Sequence, residues 1–208
     1  MNLQATLSPL RSAVHESGVV RHNECSNIAC SGSIVTFNRH NVVGATLVKD
    51  SIIINIERVK NVFVNSFLSS YKHEGIPTQR HKLSHEFDEQ IDMLCRYDTY
   101  RLSILYTNKL DVGAVVLYDN VDNDCVYIAQ LAVHNSMKGM GIGTYIVCYV
   151  AHRTSKVCCL VRIGNRSALK FYDKFEPTSW NFCDWGCKLK SKYNSNMYIG
   201  LVLHCTQQ

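Results

Sequence analysis

The chain has 208 residues, 46% hydrophobic and 19% charged, which excludes a disordered protein and allows one domain with an extension or two small ones. Its 22 Lys and Arg against 17 Asp and Glu give a formal net charge of +5, enough to favour an anionic ligand but without the basic clusters of a nucleic-acid binder. None of the 10 cysteines forms a Cys-x-x-Cys pair, no leader-like segment opens the chain, and no apolar run reaches the ~18 residues of a membrane span. The expectation is a protein of a reducing, cytoplasmic compartment whose thiols serve as small hydrophobes.

Residues 1–50 are rich in Ser, Asn, His and Thr, with apolar islands at 33–37 and 42–48 and no sustained period; they read as an N-terminal extension to a domain over 51–208. Ile52, Ile53, Ile54 and Ile56 predict a strand starting at Ser51, because β-branched side chains fit a pleated surface. Val62, Val64, Phe67, Leu68 and Tyr71 follow at helical spacing, and Gly75, Ile76 and Pro77 make a turn. Ser84, with Glu86 and Asp88 in the next turn, is expected to open a second helix that carries Phe87, Ile91, Leu94 and Cys95 and ends near Tyr97. Runs at Tyr100–Tyr106, Val112–Tyr118 and Cys125–Val133 are strand-like, and their short polar connectors imply an antiparallel meander. A glycine-rich bend at Lys138–Gly143 leads to a helix over Thr144–Arg153, then a strand at Val157–Ile163, a helix at Asn165–Lys174 and a closing strand at Met197–His204. Such an order predicts a mixed α/β layer fold.

The chemistry is expected where the strand at Cys125–Val133 runs through Gly139, Gly141 and Gly143 into a helix. Alternating glycines remove the β-carbons that block an anion, and a helix start offers unpaired N–H groups and a positive dipole end. A phosphate or pyrophosphate suits the loop, and a plain tight turn is the alternative. Two common phosphate loops do not fit. Thr144 follows Gly143 without the lysine of a P-loop, and Ile142 alone separates Gly141 from Gly143 where the dinucleotide fingerprint needs two residues.

Lys138-Gly139-Met140-Gly141-Ile142-Gly143 resembles the acyl-CoA-binding motif Arg/Gln-x-x-Gly-x-Gly/Ala of the Gcn5-related N-acetyltransferases (GNAT). Leu131-Ala132-Val133 is similar to that family's splayed fourth strand, and Asn165 to Tyr172 is similar to its Asn-x-x-Ala-x-x-x-Tyr helix. The resemblance implies a mixed, mostly antiparallel central sheet with a splayed fourth and fifth strand pair flanked by helices. It also implies acetyl-CoA as co-substrate, with no metal, and a primary amine as acceptor, on a protein or a small molecule. Leu131 and Val133 would then bond the pantetheine amides and polarise the thioester carbonyl, with Ala132 between them in the cofactor site. Gly139, Gly141, Gly143 and Thr144 would donate N–H groups to the pyrophosphate in a cofactor-binding loop that includes Lys138, Met140 and Ile142, Asn165 would bond the pantetheine arm, and Tyr172 would be the general acid. A core position beside Phe171 is the other reading of Tyr172.

Lys138 stands where the family has Arg or Gln, Lys174 runs directly into Phe175 where Leu-Gly is common, and Cys125–Val133 lacks the carboxylate often used as base. The base stays unassigned among Glu57, Glu86, Asp124 and His134. A catalytically weak CoA-binding module of the same fold is therefore the alternative function. The loop from Tyr71 to His85 and the segment Cys183–Asn196, with alternating Lys188, Lys190 and Lys192, are the expected acceptor walls.

Overall fold

The structure is a computed structural model that describes residues 33–106, 112–121, 125–152, 154, 156–180 and 196–203. Four short strands open it: β1 (Ser33–Phe37), β2 (Val42–Val43), β3 (Thr46–Lys49) and β4 (Ile52–Asn55). Two long helices follow, α1 (Ile56–His73) and α2 (Arg80–Arg96), and then β5 (Tyr100–Tyr106), β6 (Val112–Asn120) and β7 (Cys125–Val133). The chain continues through α3 (Ile142–Ala151), β8 (Lys156–Arg162), α4 (Arg166–Tyr172), β9 (Thr178–Trp180) and β10 (Tyr198–Leu203). A seven-stranded sheet has the order β1-β5-β6-β7-β8-β10-β9, and β2-β3-β4 form a small second sheet.

The meander expected over β5, β6 and β7 is antiparallel throughout, whereas β8 joins β7 in parallel. That parallel pairing is possible because α3 supplies the crossover. The central strands are covered on both faces. Val115 and Leu117 of β6 pack with Phe63 of α1 and Phe87 of α2, while Ala114 and Val116 pack with Ile142, Ile146 and Val150 of α3. Burial on both faces explains why β6 reads as a continuous apolar run.

Residues 33–37, which the composition places in the extension, form β1, paired along its whole length with β5. Phe37 is fully buried there, and the Thr36 hydroxyl bonds Ser103 Oγ at 2.6 Å and Tyr149 OH at 3.0 Å. A five-residue strand with one buried aromatic is too short to show a period among polar neighbours. The isoleucine run also stops sooner than expected: Asn55 caps α1 by accepting from the Glu57 N–H at 2.7 Å, so Ile56 is helical. Ser84 is not a helix cap. α2 starts four residues earlier, after Gln79, because Leu83 is fully buried in the core and draws the preceding turn into the helix. At the other end, Asn165 caps α4 through the Ala168 N–H at 3.1 Å, and the predicted helix closes as a short 3-10 turn over Asp173–Phe175.

No described helix is long and apolar enough to cross a membrane. Cys125, Cys158 and Cys159 are buried thiols outside any disulfide, with Cys125 and Cys158 Sγ 3.5 Å apart. Cys183, Cys187 and the lysines at 188, 190 and 192 lie outside the described residues, as do Asp124 and Arg153.

Candidate active site

β7 and β8 are paired only from Cys125–Lys156 to Ile128–Cys159. At the next residue β7 bulges: against β6, Tyr118 faces Ile128 and Leu117 faces Gln130, which leaves Ala129 as the extra residue. A bulge bends its strand and ends regular pairing. Beyond it, β7 stays on β6 as far as Val133 and β8 stays on β10 as far as Arg162, so the two parallel strands part and leave a wedge with unpaired inner edges. A cavity of about 540 Å³ fills this wedge and passes from one face of the sheet to the other. Phe67 and Tyr71 of α1 with Glu86 and Gln90 of α2 line one mouth; the glycine loop, the start of α3, and Phe171 and Tyr172 of α4 line the other.

Gly139 and Gly141 have φ of 81° and 79° in the left-handed region, where glycine is favoured, and Gly141 is the N-cap of α3. Their backbone therefore turns without side chains into the first turn of α3, whose initial amides have no partner within the helix. Gly143 has a separate reason to be glycine: a β-carbon there would lie 3.0 Å from Phe171 Cε2, so its absence lets α4 close on α3. Leu131, Val133, Lys138, Gly139, Gly141, Ile142, Gly143, Thr144, Asn165 and Tyr172 all line the cavity. Two residues of the expected set do not. Ala132 packs into the core on the α1–α2 face, and Met140 is an exposed apolar side chain on the loop.

Lys138 lines the cavity, but its ammonium donates to Ser66 O and Ser70 Oγ of α1, each at 3.1 Å. Burial holds its pKa below the usual lysine value. Asn165 has its Oδ1 occupied by the cap of α4. Tyr172 is nearly buried, and its hydroxyl is hydrogen-bonded with the Cys159 thiol. Burial pushes the phenol well above its ordinary pKa and the thiol to about 12, so both stay protonated near neutral pH.

Of the groups weighed as bases, Glu86 lines the cavity. Glu57 pairs with Lys60 on the surface at 3.6 Å, and His134 spends its Nδ1 on the Ser136 N–H at 3.3 Å. Glu74, the C-cap of α1, accepts from Ser167 N at 2.9 Å and from the Ser167 hydroxyl, which fastens α4 to α1 across the mouth of the wedge. Sequence reasoning missed Arg162. Its Nη2 donates to Tyr198 OH at 3.1 Å, and its guanidinium lies 5.2 Å from the Tyr71 ring centre and 5.6 Å from that of Tyr198. A basic residue at a strand end carries no local signal, since its partners come from elements far along the chain. Among the described residues no group of three or more His, Cys, Asp or Glu is arranged to hold a metal ion.

A family model described as the acetyltransferase (GNAT) family matches residues 62–176, more than half of the chain. No curated protein matches the sequence. Several solved structures share the fold. An acetyltransferase from Thermus thermophilus aligns with a TM-score of 0.56 at 10% identity, over 84% of this chain and 97% of that one. The PaiA N-acetyltransferase from Thermoplasma acidophilum in complex with coenzyme A aligns at 0.55 and 11%, over 84% and 99%. A GNAT family acetyltransferase from Elizabethkingia anophelis with acetyl-CoA bound aligns at 0.50 and 12%, over 84% and 98%. With the wedge, the glycine loop and the tyrosine helix in place, the chain belongs to the GNAT acetyltransferase family.

Proposed function

We propose that this protein is an amine N-acetyltransferase that uses acetyl-CoA in the wedge between β7 and β8. The observation that carries the reading is the cavity through the sheet, with a side-chain-free turn and a helix start at one mouth and Tyr172 inside. Those residues suit the group. A pyrophosphate needs several N–H donors and close approach, which Gly139, Gly141 and the first turn of α3 offer; an extended amide-bearing arm needs an unpaired strand edge, which β7 offers after Ala129. Acetyl-CoA supplies an acyl group activated as a thioester.

The chain's residues then divide the work. Backbone N–H groups of β7 near Leu131 and Val133 would steady negative charge on the thioester oxygen. Tyr172 is the proton donor to the leaving sulfur, a role suited to a phenol that burial keeps protonated. An amine of lysine type has a pKa of ~10.4 and must lose a proton before it attacks, and Glu86 is the carboxylate that lines the opposite mouth. The nitrogen forms the new bond to the acyl carbon as the bond to sulfur breaks, with no acyl-enzyme stage. Cys159, a thiol held protonated at the same place, is unsuited to carry the acyl group.

The test couples calorimetry of CoA binding with thiol release from acetyl-CoA over a panel of primary amines. Micromolar or tighter CoA binding with amine-dependent thiol release is the expected result. Tight CoA binding with no release for any amine would instead assign the chain to a binding module that has kept the fold.

A further inference from the structure

We propose that Arg162 and Gln90 form a carboxylate subsite at the α1–α2 mouth of the cavity, so that the acceptor is an amine that carries a carboxylate of its own. The inference rests on the acetyl-transfer reading and names the acceptor class.

Arg162 is held in place by two tyrosines yet spends little of its hydrogen-bonding capacity. Tyr198 takes one N–H, the Tyr71 and Tyr198 rings flank the guanidinium, and Nε is buried with no hydrogen-bond partner among the described residues. A guanidinium has five donors in a fixed fork that matches a carboxylate. Gln90 adds a second donor. It is only 6% exposed, its Oε1 accepts from Tyr100 OH, and its Nε2 donates to no described residue while the side chain lines the same cavity. A buried donor without a partner is costly, so Arg162 Nε beside a second cavity-lining side chain with a donor, Gln90, fits a ligand with acceptor oxygens.

The anion in question is not the co-substrate's pyrophosphate. Arg162 stacks on Tyr71 of α1 and follows Val161, which packs on the α3 side, so its side chain leaves β8 on the face opposite α3. The same mouth contains Glu86, whose charge adds to the attraction on Arg162 and suits the ammonium end of an acceptor. Two donors beside one carboxylate are complementary to a zwitterion. Polyamines lack the anion and would bring further positive charge to the Arg162 guanidinium with nothing to pair it.

The experiment measures acetyl-CoA-dependent thiol release with free amino acids, the matching amino-acid carboxamides, and dipeptides with an acidic second residue. Wild-type protein is expected to favour carboxylates over carboxamides by about tenfold or more in kcat/KM, in line with a charge-assisted pair. A preference among free amino acids identifies them as the source of the carboxylate; one confined to dipeptides identifies a chain terminus. Arg162→Gln should lower kcat/KM for carboxylates by about 10–100-fold and for carboxamides by less than about threefold. Tyr198→Phe keeps the ring and loosens the guanidinium, with a smaller loss again confined to carboxylates. Equal use of the two sets by the wild type, or an equal fall for both in Arg162→Gln, overturns the subsite while acetyl transfer stands. Loss of CoA binding and of all turnover in the wild type would overturn both.

Discussion

The two mouths of the cavity are built from different materials. On the α3–α4 face the site is mostly backbone: two glycines with positive φ, the first turn of α3 and a strand edge left open by a bulge. On the α1–α2 face it is mostly side chain: Tyr71, Glu86, Gln90, Arg162 and Tyr198, from four separate elements. A site made of backbone constrains a short stretch of sequence to a few residue types, and a site made of side chains leaves each contributor free to be read as surface or core. The first kind suits a ligand that is constant, the second a ligand that differs from one protein to the next.

The sharpest way to test this division is at the junction of the two mouths. Tyr172→Phe removes one hydroxyl and its bond to Cys159, and should lower kcat by about 10²–10⁴-fold with CoA affinity kept, as read by steady-state kinetics and calorimetry. An unchanged kcat, with chemistry shown to limit the rate, would return Tyr172 to a packing role. Next in size is Gly141. Asn and Asp both tolerate left-handed backbone, so Gly141→Asp and Gly141→Asn share the strain at φ 79° and differ in charge. CoA affinity is expected to fall at least about 100-fold further in the Asp variant, measured by calorimetry, because a carboxylate would oppose the pyrophosphate at the helix start. Equal affinities in the two variants would remove the phosphate assignment.

The smallest effect links the two faces. The Ser167 hydroxyl, then the Ser167 N–H, hold the Glu74 carboxyl below its usual pKa. A depressed folded-state pKa means that this contribution to stability is present above the unfolded value and is lost as pH falls through the folded one. Wild type should therefore unfold at a slightly higher temperature than Glu74→Gln near neutral pH, and the difference should shrink as pH falls below the ordinary glutamate range and vanish once the folded carboxyl is protonated. A difference that persists in acid would point to shape rather than charge.

Legibility followed the same division. Gly139, Gly141 and Gly143 were visible as a trio, and the structure separates their reasons: two turn the chain, while the third makes room for Phe171. Asn165 is legible because a helix cap has a local rule. Lys138 illustrates a limit, since only the folded chain brings Ser66 and Ser70 to its ammonium from some seventy residues away. The start of α2 shows a competition that local rules cannot decide, with burial of Leu83 prevailing over the cap offered by Ser84. β1 was hidden because its worth lies in β5, an element more than 60 residues on, and in three hydroxyls that meet only after folding.

Ala129 gives the bulge a consequence for how the strand counts its residues. Val126 and Ile128 point to the α3–α4 side, and so do Leu131 and Val133, although an odd number of steps separates the two pairs. A regular strand sends every second side chain to the same face, so the sequence contains one residue more than its alternation requires. Remove Ala129 and the four side chains fall into step, with the core contacts of that face unchanged in kind. On the opposite face Ala129 packs against the core, and Gln130 would take its place, so the cost of the shorter strand falls on the α1–α2 side together with the loss of the opening. In the arithmetic of the chain, the cleft is a single residue that the α3–α4 face has no need of.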